Sequence, residues 1–266
     1  MAYPDNELFD FAYIPVIEQQ LEYLSHVAMD ENWGYRYLPN PRPKPILYNY
    51  LKYTFSRLKH EGKIEIFEDQ NACFNTGLAT ENQEAIFAFF EINSRAEATQ
   101  KWYFKRFCKE SDYELSVFNK LPETAHYFED PAELLYDTRL ELRPNLNHIV
   151  NDNRDRFPEP WNDVSQHQTL ILLLEGATRD AIKRVKRNYK TAIPQFYKDY
   201  PAPGEIDKSG IQLLLPLCLK EKSKADLALV VHRLSNVYVA TTVLSLDWAY
   251  SNARLIARPD TEWLDP

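Results

Sequence analysis

The chain has 266 residues and a mass of 31.3 kDa, which is enough to bury a large core without disulfides. Its 44% hydrophobic and 14% aromatic content excludes disorder for the bulk of the chain. The net charge of −8 argues against extended binding to duplex DNA, which needs a basic face to displace counterions, but it leaves room for a local basic pocket.

Cysteine usage and the amino terminus bear on the compartment. The three cysteines, Cys73, Cys108 and Cys218, lie far apart, and an odd number leaves one unpaired in any disulfide scheme. The opening MAYPDNELFDF lacks a basic segment followed by an apolar core, and the chain has no apolar run long enough to span a membrane. We therefore expect a cytoplasmic protein without a membrane partner.

The amino-terminal part, residues 1–62, is predicted to be helical. Apolar residues recur at helical spacing from Ile14 to Ala28, and again from Leu47 to Leu58. Four prolines in the stretch from Trp33 to Pro45, the last of them Pro45 itself, predict an extended loop between the two helices. Gly62 supplies a left-handed stop for the second helix.

Beyond residue 63 the apolar period changes from 3.6 to two, which predicts four strands in an antiparallel meander up to about residue 109. The middle favours a short helix at PAELLYD, a strand at TRLELR and a helix over 145–153. A long helix starting at HQTLILLL is predicted to be interrupted at Gly176 and to end near Pro194. Its apolar half is expected to be buried and its basic half to be exposed to solvent.

The carboxyl-terminal third returns to strands at IQLLLPLCL, DLALVVHR and YVATTVLSL and closes with a helix at DWAYSNARLIAR. Regular βαβ alternation is missing, so the order of elements predicts an α+β fold. We expect a single domain over residues 1–266, with residues 63–266 as the sheet-containing core. Its sheet is expected to be mixed or largely antiparallel, in two strand-rich blocks packed with amphipathic helices.

The sequence lacks the motifs that are typical of several large enzyme classes. The patterns GxGxxG, GxxxxGK[ST], GxSxG and HExxH do not occur, and the six histidines are scattered singly. We therefore predict no metal site, and the sequence names no cofactor. It does not decide whether the protein is an enzyme.

The basic half of the long helix is the first candidate binding site. Arg179, Lys183, Arg187 and Lys190 follow one another at spacings of four, four and three, which lines them along one ridge, and Arg184 and Lys186 widen it. Such a ridge in an acidic chain favours an anionic ligand. The alternative is a solvated helix face whose cations complement the helix dipole.

Two further clusters combine arginine with amides or tyrosine. NHIVNDNRDRFP contains Arg154 and Arg156, and WAYSNARLIARP contains Tyr250 and Arg254 four residues apart on one predicted helix face. Arginine forks bind phosphate and a tyrosine ring stacks on bases. The alternative is that the asparagines cap a helix and Arg254 pairs with Asp247 or Glu262.

For hydrolysis, YDTRLELRP supplies Asp137 and Glu141, alternating with Arg139 and Arg143 along a predicted strand. Convergent carboxylates could hold a catalytic metal. Because alternate residues share one face of a strand, the run is more readily explained as an ion-pair ladder.

The segments FNTGLATENQEAIFAFFEIN, NLNHIVNDNRDRFP and ADLALVV…YVATTVLSLDWAYSNARLIARPDTEWL resemble an uncharacterised bacterial domain-of-unknown-function family. Some of its members are joined to LOTUS-type (OST-HTH) or cold-shock RNA-binding modules. The resemblance implies a link to RNA or nucleotide metabolism, in stress or defence, by analogy alone. It adds Asn75 to the candidate ligand-binding residues, which are otherwise Arg154, Arg156, Arg179, Lys183, Arg187, Lys190, Tyr250 and Arg254.

Together these patterns predict a protein that binds a nucleotide or a short RNA segment through a local cationic pocket. A metal-dependent phosphoesterase or nuclease acting on the same ligands is the first alternative. A protein–protein scaffold without a small ligand is the second. The sequence leaves the oligomeric state open.

Overall fold

A computed structural model of the chain describes residues 6–95, 99–197, 210–260 and 262–264. The first residues of the acidic opening segment lie outside this range. The chain divides into two compact units, Met1–His126 and Tyr127–Pro266. The described residues form two five-stranded sheets with helices, so the predicted α+β class with mixed sheets is confirmed. That the two units act as a single domain stays a prediction.

The helices of the first unit begin and end where local chemistry dictates. They are α1 (Glu7–Phe11), α2 (Ile17–Val27) and α3 (Pro45–His60). Proline suits the first position of α3, because an N–H group there would have no partner within the helix. Gly62 follows the helix with a φ of 67°, the left-handed conformation that ends many helices. The predicted helices and the proline-rich loop between them are confirmed.

The first sheet contains the predicted meander. Its strands are β1 (Ala12–Tyr13), β2 (Glu65–Phe67), β3 (Asn71–Ala79), β4 (Ala85–Ile92) and β5 (Trp102–Lys109). The order is β1-β5-β4-β3-β2, with β2 to β5 antiparallel and β1 parallel to β5. A two-residue strand carries no period, so the sequence could not predict β1.

The second unit is built on a sheet of order β6-β10-β9-β8-β7. Its strands are β6 (Glu141–Pro144), β7 (Ile193–Phe196), β8 (Ile211–Leu217), β9 (Leu227–Leu234) and β10 (Val237–Leu244). Its helices are α4 (Leu146–Asp152), α5 (His167–Arg187) and α6 (Leu246–Ala253). All neighbours are antiparallel except β6 and β10, which run parallel. Within the described residues, no helix is both long and apolar enough to span a membrane.

The long helix α5 differs from its prediction in three respects. It is continuous through Gly176, because one glycine costs only about 1 kcal/mol in a helix that tertiary packing holds. It ends at Arg187, and Pro194 lies instead in the edge strand β7, where a missing N–H is tolerated. Its buried face runs its whole length, from Leu170 to Val185, rather than being confined to the apolar half.

That buried face determines which side of α5 meets solvent. Leu170, Leu174, Ala181 and Val185 pack into the core of the second unit with alternate residues of β8 and β9. These sheet residues are Leu213, Leu215, Leu217, Leu227, Leu229 and Val231. The opposite face of α5 is therefore exposed along its full length.

Candidate anion-binding surface

The exposed face of α5 carries the predicted cationic ridge, but not all of its members are equivalent. Arg179 Nη2 lies 2.8 Å from Glu175 Oε1, and Lys183 Nζ lies 3.1 Å from Asp180 Oδ1. These two cations thus already have carboxylate partners on the same helix. Exposed pairs of this kind contribute little to stability.

The cations at the carboxyl end of α5 are different. Lys186, Arg187 and Lys190 are exposed, and within the described parts of the chain their side chains make no ion pair or hydrogen bond. No described carboxylate therefore neutralises their charges. An anionic ligand would not have to displace one of these described carboxylates to reach them.

A turn distant in sequence adds further positive charge. Arg184 donates a hydrogen bond to the carbonyl oxygen of Lys222, which attaches the β8–β9 turn to the side of α5. Asp226 stabilises the turn, because its Oδ2 accepts hydrogen bonds from the backbone N–H groups of Leu219 and Lys220 at 2.7 and 3.0 Å.

The β8–β9 turn exposes three lysines, Lys220, Lys222 and Lys224. The hydrogen bond from Lys183 lowers the pKa of Asp180 on α5, and the positive charges of Lys222 and Arg184 lower it further. The ammonium group of Lys222 therefore lies close enough to α5 to act on it electrostatically. Since Arg187 lies one turn beyond Arg184 on the same face, the turn extends the positive surface sideways.

An exposed aromatic ring lies within this positive region. Tyr189, 61% exposed, begins the short 3-10 turn Tyr189–Thr191 directly after α5. Asn188 fixes the turn, because its Oδ1 accepts a hydrogen bond from the backbone N–H of Lys190 at 3.1 Å. We call Lys186, Arg187, Tyr189, Lys190, Lys220, Lys222 and Lys224 the α5 cationic surface. The sequence analysis missed Tyr189, although the run KRNYK shows it between cations.

Arg154 and Arg156 lie elsewhere in the second unit. Arg154 donates to the carbonyl oxygen of Asp163 at 3.0 Å, and its Nη2 lies 2.7 Å from Nδ1 of His167, the first residue of α5. A helix of 21 residues is about 30 Å long, so Arg154 and Lys190 lie at opposite ends of α5. They do not form one pocket.

Arg156 is used in packing. Its Nη1 donates to the carbonyl oxygen of Val243 at 2.5 Å and to Oγ1 of Thr242 at 3.2 Å, and its guanidinium lies 5.4 Å from the Trp248 ring. The Thr242 hydroxyl in turn donates to Asn153 Oδ1 at 2.8 Å. These bonds join the turn after α4 to β10 and give Arg156 a structural role. That Arg156 also binds a ligand stays a prediction.

The remaining candidates are not on the α5 cationic surface. Asn75 lies in β3 of the first unit, is buried, and donates to the carbonyl oxygen of Pro122 at 3.2 Å while accepting from the N–H of Gly77 at 2.9 Å. Tyr250 lies in α6 with 2% of its surface exposed, which leaves no open ring face for a base. Arg254, half-buried, directly follows α6.

The carboxylates considered for hydrolysis are neutralised by arginines. Arg139 contacts both carboxylate oxygens of Asp137 at 2.8 Å, and Arg143 Nη2 lies 2.7 Å from Glu141 Oε2. The Arg139 hydrogen bonds lower the pKa of Asp137 to about 2. The ion pairs agree with the alternative explanation, although β6 begins only at Glu141, so Asp137 and Arg139 precede the strand.

Another group of possible ligand atoms lies on the first unit. The side-chain ligand atoms of Cys108, Asp112 and Glu114 lie within 4.8 Å of one another. Arg106 donates to both carboxylates, at 3.2 and 2.9 Å, and burial raises the pKa of the Cys108 thiol to about 12. The guanidinium thus already supplies the positive charge that a metal ion would bring.

A protein-family model matches residues 24–263, which covers most of the first unit and nearly all of the second. The chain belongs to the DUF3825 family. This family is described as a domain of unknown function, so membership confirms the predicted kind of family and transfers no activity. No curated protein and no solved structure matches the chain. The α5 cationic surface lies inside the matched range.

Proposed function

We propose that this DUF3825 protein binds a short single-stranded RNA segment or a nucleotide through the α5 cationic surface. The observation that carries the proposal is the exposed Tyr189 ring between Arg187 and Lys190, whose charges have no carboxylate partner in the described part of the chain. Cations bind phosphates, and an aromatic ring stacks on any base.

The size and charge of the surface favour a short, unpaired ligand. A duplex requires an extended basic face, whereas this chain carries a net charge of −8 and a local positive surface. A single strand exposes its bases to a ring, and stacking on an aromatic side chain contributes about 1–3 kcal/mol per base. The three free cysteines favour the reducing cytoplasm as the place of binding.

The test is the affinity and salt dependence for a short single-stranded RNA of mixed sequence, measured by fluorescence anisotropy. We expect Lys186→Ala/Arg187→Ala/Lys190→Ala to weaken binding and to flatten the plot of log affinity against log salt by about 2, since each lost phosphate contact removes about 0.7. Tyr189→Ala should weaken binding about five- to 150-fold, whereas Tyr189→Phe should retain it.

The matched control removes three lysines of the first unit that have carboxylate partners. Lys101, Lys105 and Lys120 are exposed and pair with Asp69, Glu91 and Glu123 at 2.8, 3.0 and 2.8 Å. Replacing all three by alanine changes the net charge equally and should leave the salt slope unchanged. Equal slopes for both triple variants would disprove the proposal.

The same assay separates binding from hydrolysis. A binder gives saturable, salt-sensitive binding and leaves the RNA intact, whereas a phosphoesterase gives product that disappears when divalent metal is removed. Product that is lost in Asp137→Asn or Glu141→Gln would assign hydrolysis. A chain that binds no RNA or nucleotide and is recovered with a protein partner would instead be a scaffold.

A further inference from the structure

A second concentration of positive charge lies in the first unit, where the proline-rich loop enters α3. The guanidinium carbon of Arg42 lies 3.8 Å from the centroid of the Tyr48 ring. Phe9 of α1 also stacks on Tyr48, with centroids 5.8 Å apart and an angle of 24° between the rings. Arg42 is therefore held in position by an aromatic ring that is itself packed.

Lys52 lies one helical turn after Tyr48 and is half-buried, with its Nζ 5.5 Å from the same ring centroid. Burial lowers the pKa of Lys52, and the nearby charge of Arg42 lowers it further. Two cationic groups are thus held against one ring although their charges repel each other. The ring attracts each cation, but their mutual repulsion remains, and an anion that contacts both groups would relieve it.

No protein carboxylate relieves that repulsion within the described residues. Neither Arg42 nor Lys52 forms an ion pair there, and the first turn of α3 contains no acidic residue. Lys44, in the same loop, does have a partner, since its Nζ lies 3.7 Å from Glu22 Oε2.

We infer that Arg42 and Lys52 form an anion-binding site that takes a phosphate group. The guanidinium fork suits two phosphate oxygens, and the ammonium group supplies a third, movable donor. Phe9 and Arg42 occupy the Tyr48 ring, so the site recognises the phosphate and not an attached base. It lies in the other unit from the α5 cationic surface and does not depend on the function proposed for that surface.

The test is calorimetric titration of the full chain with inorganic phosphate at constant ionic strength. All variants carry Lys186→Ala/Arg187→Ala/Lys190→Ala, so that phosphate bound at the α5 cationic surface contributes little. Arg42→Gln and Lys52→Gln should each weaken phosphate binding about tenfold or more, because each removes a charge-assisted hydrogen bond. Lys44→Gln, the matched control, should bind as the parent does. Equal affinities in all four proteins, or no saturable binding in the parent, would overturn the inference.

A second measurement needs no variant and so does not depend on variants folding. Lysines of the natural chain are acetylated with and without inorganic phosphate, and modification is quantified by mass spectrometry. Phosphate should slow the acetylation of Lys52 and leave that of Lys44 unchanged, whereas equal rates at Lys52 with and without phosphate would contradict the site.

Titrations with adenosine monophosphate, adenosine and 5′-phosphorylated RNA then distinguish a free nucleotide phosphate from an RNA end. Loss of RNA binding at α5 would not affect either result.

Discussion

Arg156 illustrates how a residue suited to ligand binding is instead used within the fold. Its guanidinium satisfies the carbonyl oxygen of Val243 and contacts Trp248. We expect Arg156→Ala to lower the free energy of unfolding by about 1.5–3 kcal/mol, the range for hydrogen bonds that involve a charged group. Urea unfolding followed by circular dichroism measures this. Arg179→Ala, at an exposed arginine, should stay within about 0.5 kcal/mol. Wild-type stability combined with lost RNA binding in Arg156→Ala would instead support Arg156 as a ligand residue.

Glu61 connects the end of α3 to Lys63 and His126 and should make the stability of the first unit depend on pH. Its carboxylate lies 2.5 Å from Arg57 Nε and 2.9 Å from Lys63 Nζ, and it accepts from the N–H of His126 at 3.1 Å. Burial raises the pKa of Glu61, but the hydrogen bonds from Lys63, His126 and Arg57 together bring it below its ordinary value of 4.5.

Because the folded-state pKa of Glu61 is lowered, its contribution is complete above about pH 5 and is lost as the pH falls through the folded-state value. We expect Glu61→Gln to be less stable than the natural chain at pH 7. The difference should shrink as the pH falls from about 4.5 through the lowered folded-state pKa, because the carboxyl group of the unfolded chain takes up its proton first. Urea midpoints measured between about pH 3 and 7 test this. A difference that does not change with pH would show that the charge of Glu61 is unimportant.

Two glycines give opposite predictions at the scale of the element. Gly77 interrupts the pairing of β3 with a φ of 73°, and an added Cβ would lie 2.6 Å from the hydroxyl oxygen of Tyr50. Gly176 lies on the exposed side of α5 with nothing within 4 Å of a Cβ. We expect Gly77→Ala to destabilise by about 1–2 kcal/mol from the left-handed backbone alone, with the clash adding to it.

Gly176→Ala should instead stabilise by about 0.5–1 kcal/mol, since alanine loses less backbone entropy in a helix. Thermal unfolding of the two variants beside the natural chain measures both effects. A loss of stability in Gly176→Ala would mean that α5 bends or breaks at that position, as the sequence alone suggested.

At the scale of the whole molecule, the open question is whether the two compact units unfold together. Tryptophans can report on each unit separately, since Trp33 and Trp102 lie in the first unit and the other three, Trp161, Trp248 and Trp263, lie in the second. If the chain is a single domain, the triple variant Trp161→Phe/Trp248→Phe/Trp263→Phe and the double variant Trp33→Phe/Trp102→Phe should give fluorescence transitions that coincide with the loss of circular dichroism. Separate midpoints, or two stable fragments after limited proteolysis, would establish independent domains.

The elements that the sequence predicted correctly share a repeating local pattern. α3 has apolar residues at helical spacing, a proline at its start and a glycine after its end, and the β2–β5 meander alternates over many residues. β1 has two residues, and β7 carries a proline that mimics a helix stop, so neither has a period to detect. Their pairing with β5 and β8 makes them strands.

For the candidate site too, one part could be predicted from the sequence and another part depends on the tertiary structure. The density of cations near the end of α5 is a property of the sequence, because residues three and four apart share a helix face whatever surrounds them. The partners of those cations depend on the tertiary structure. Packing of its apolar face against the sheet orients α5. A hydrogen bond from Arg184 attaches a turn almost forty residues away in sequence. Arg156 and Asn75 form hydrogen bonds within the fold. Local periodicity thus determined where charge accumulates, and long-range packing decided which charges remain open to a ligand.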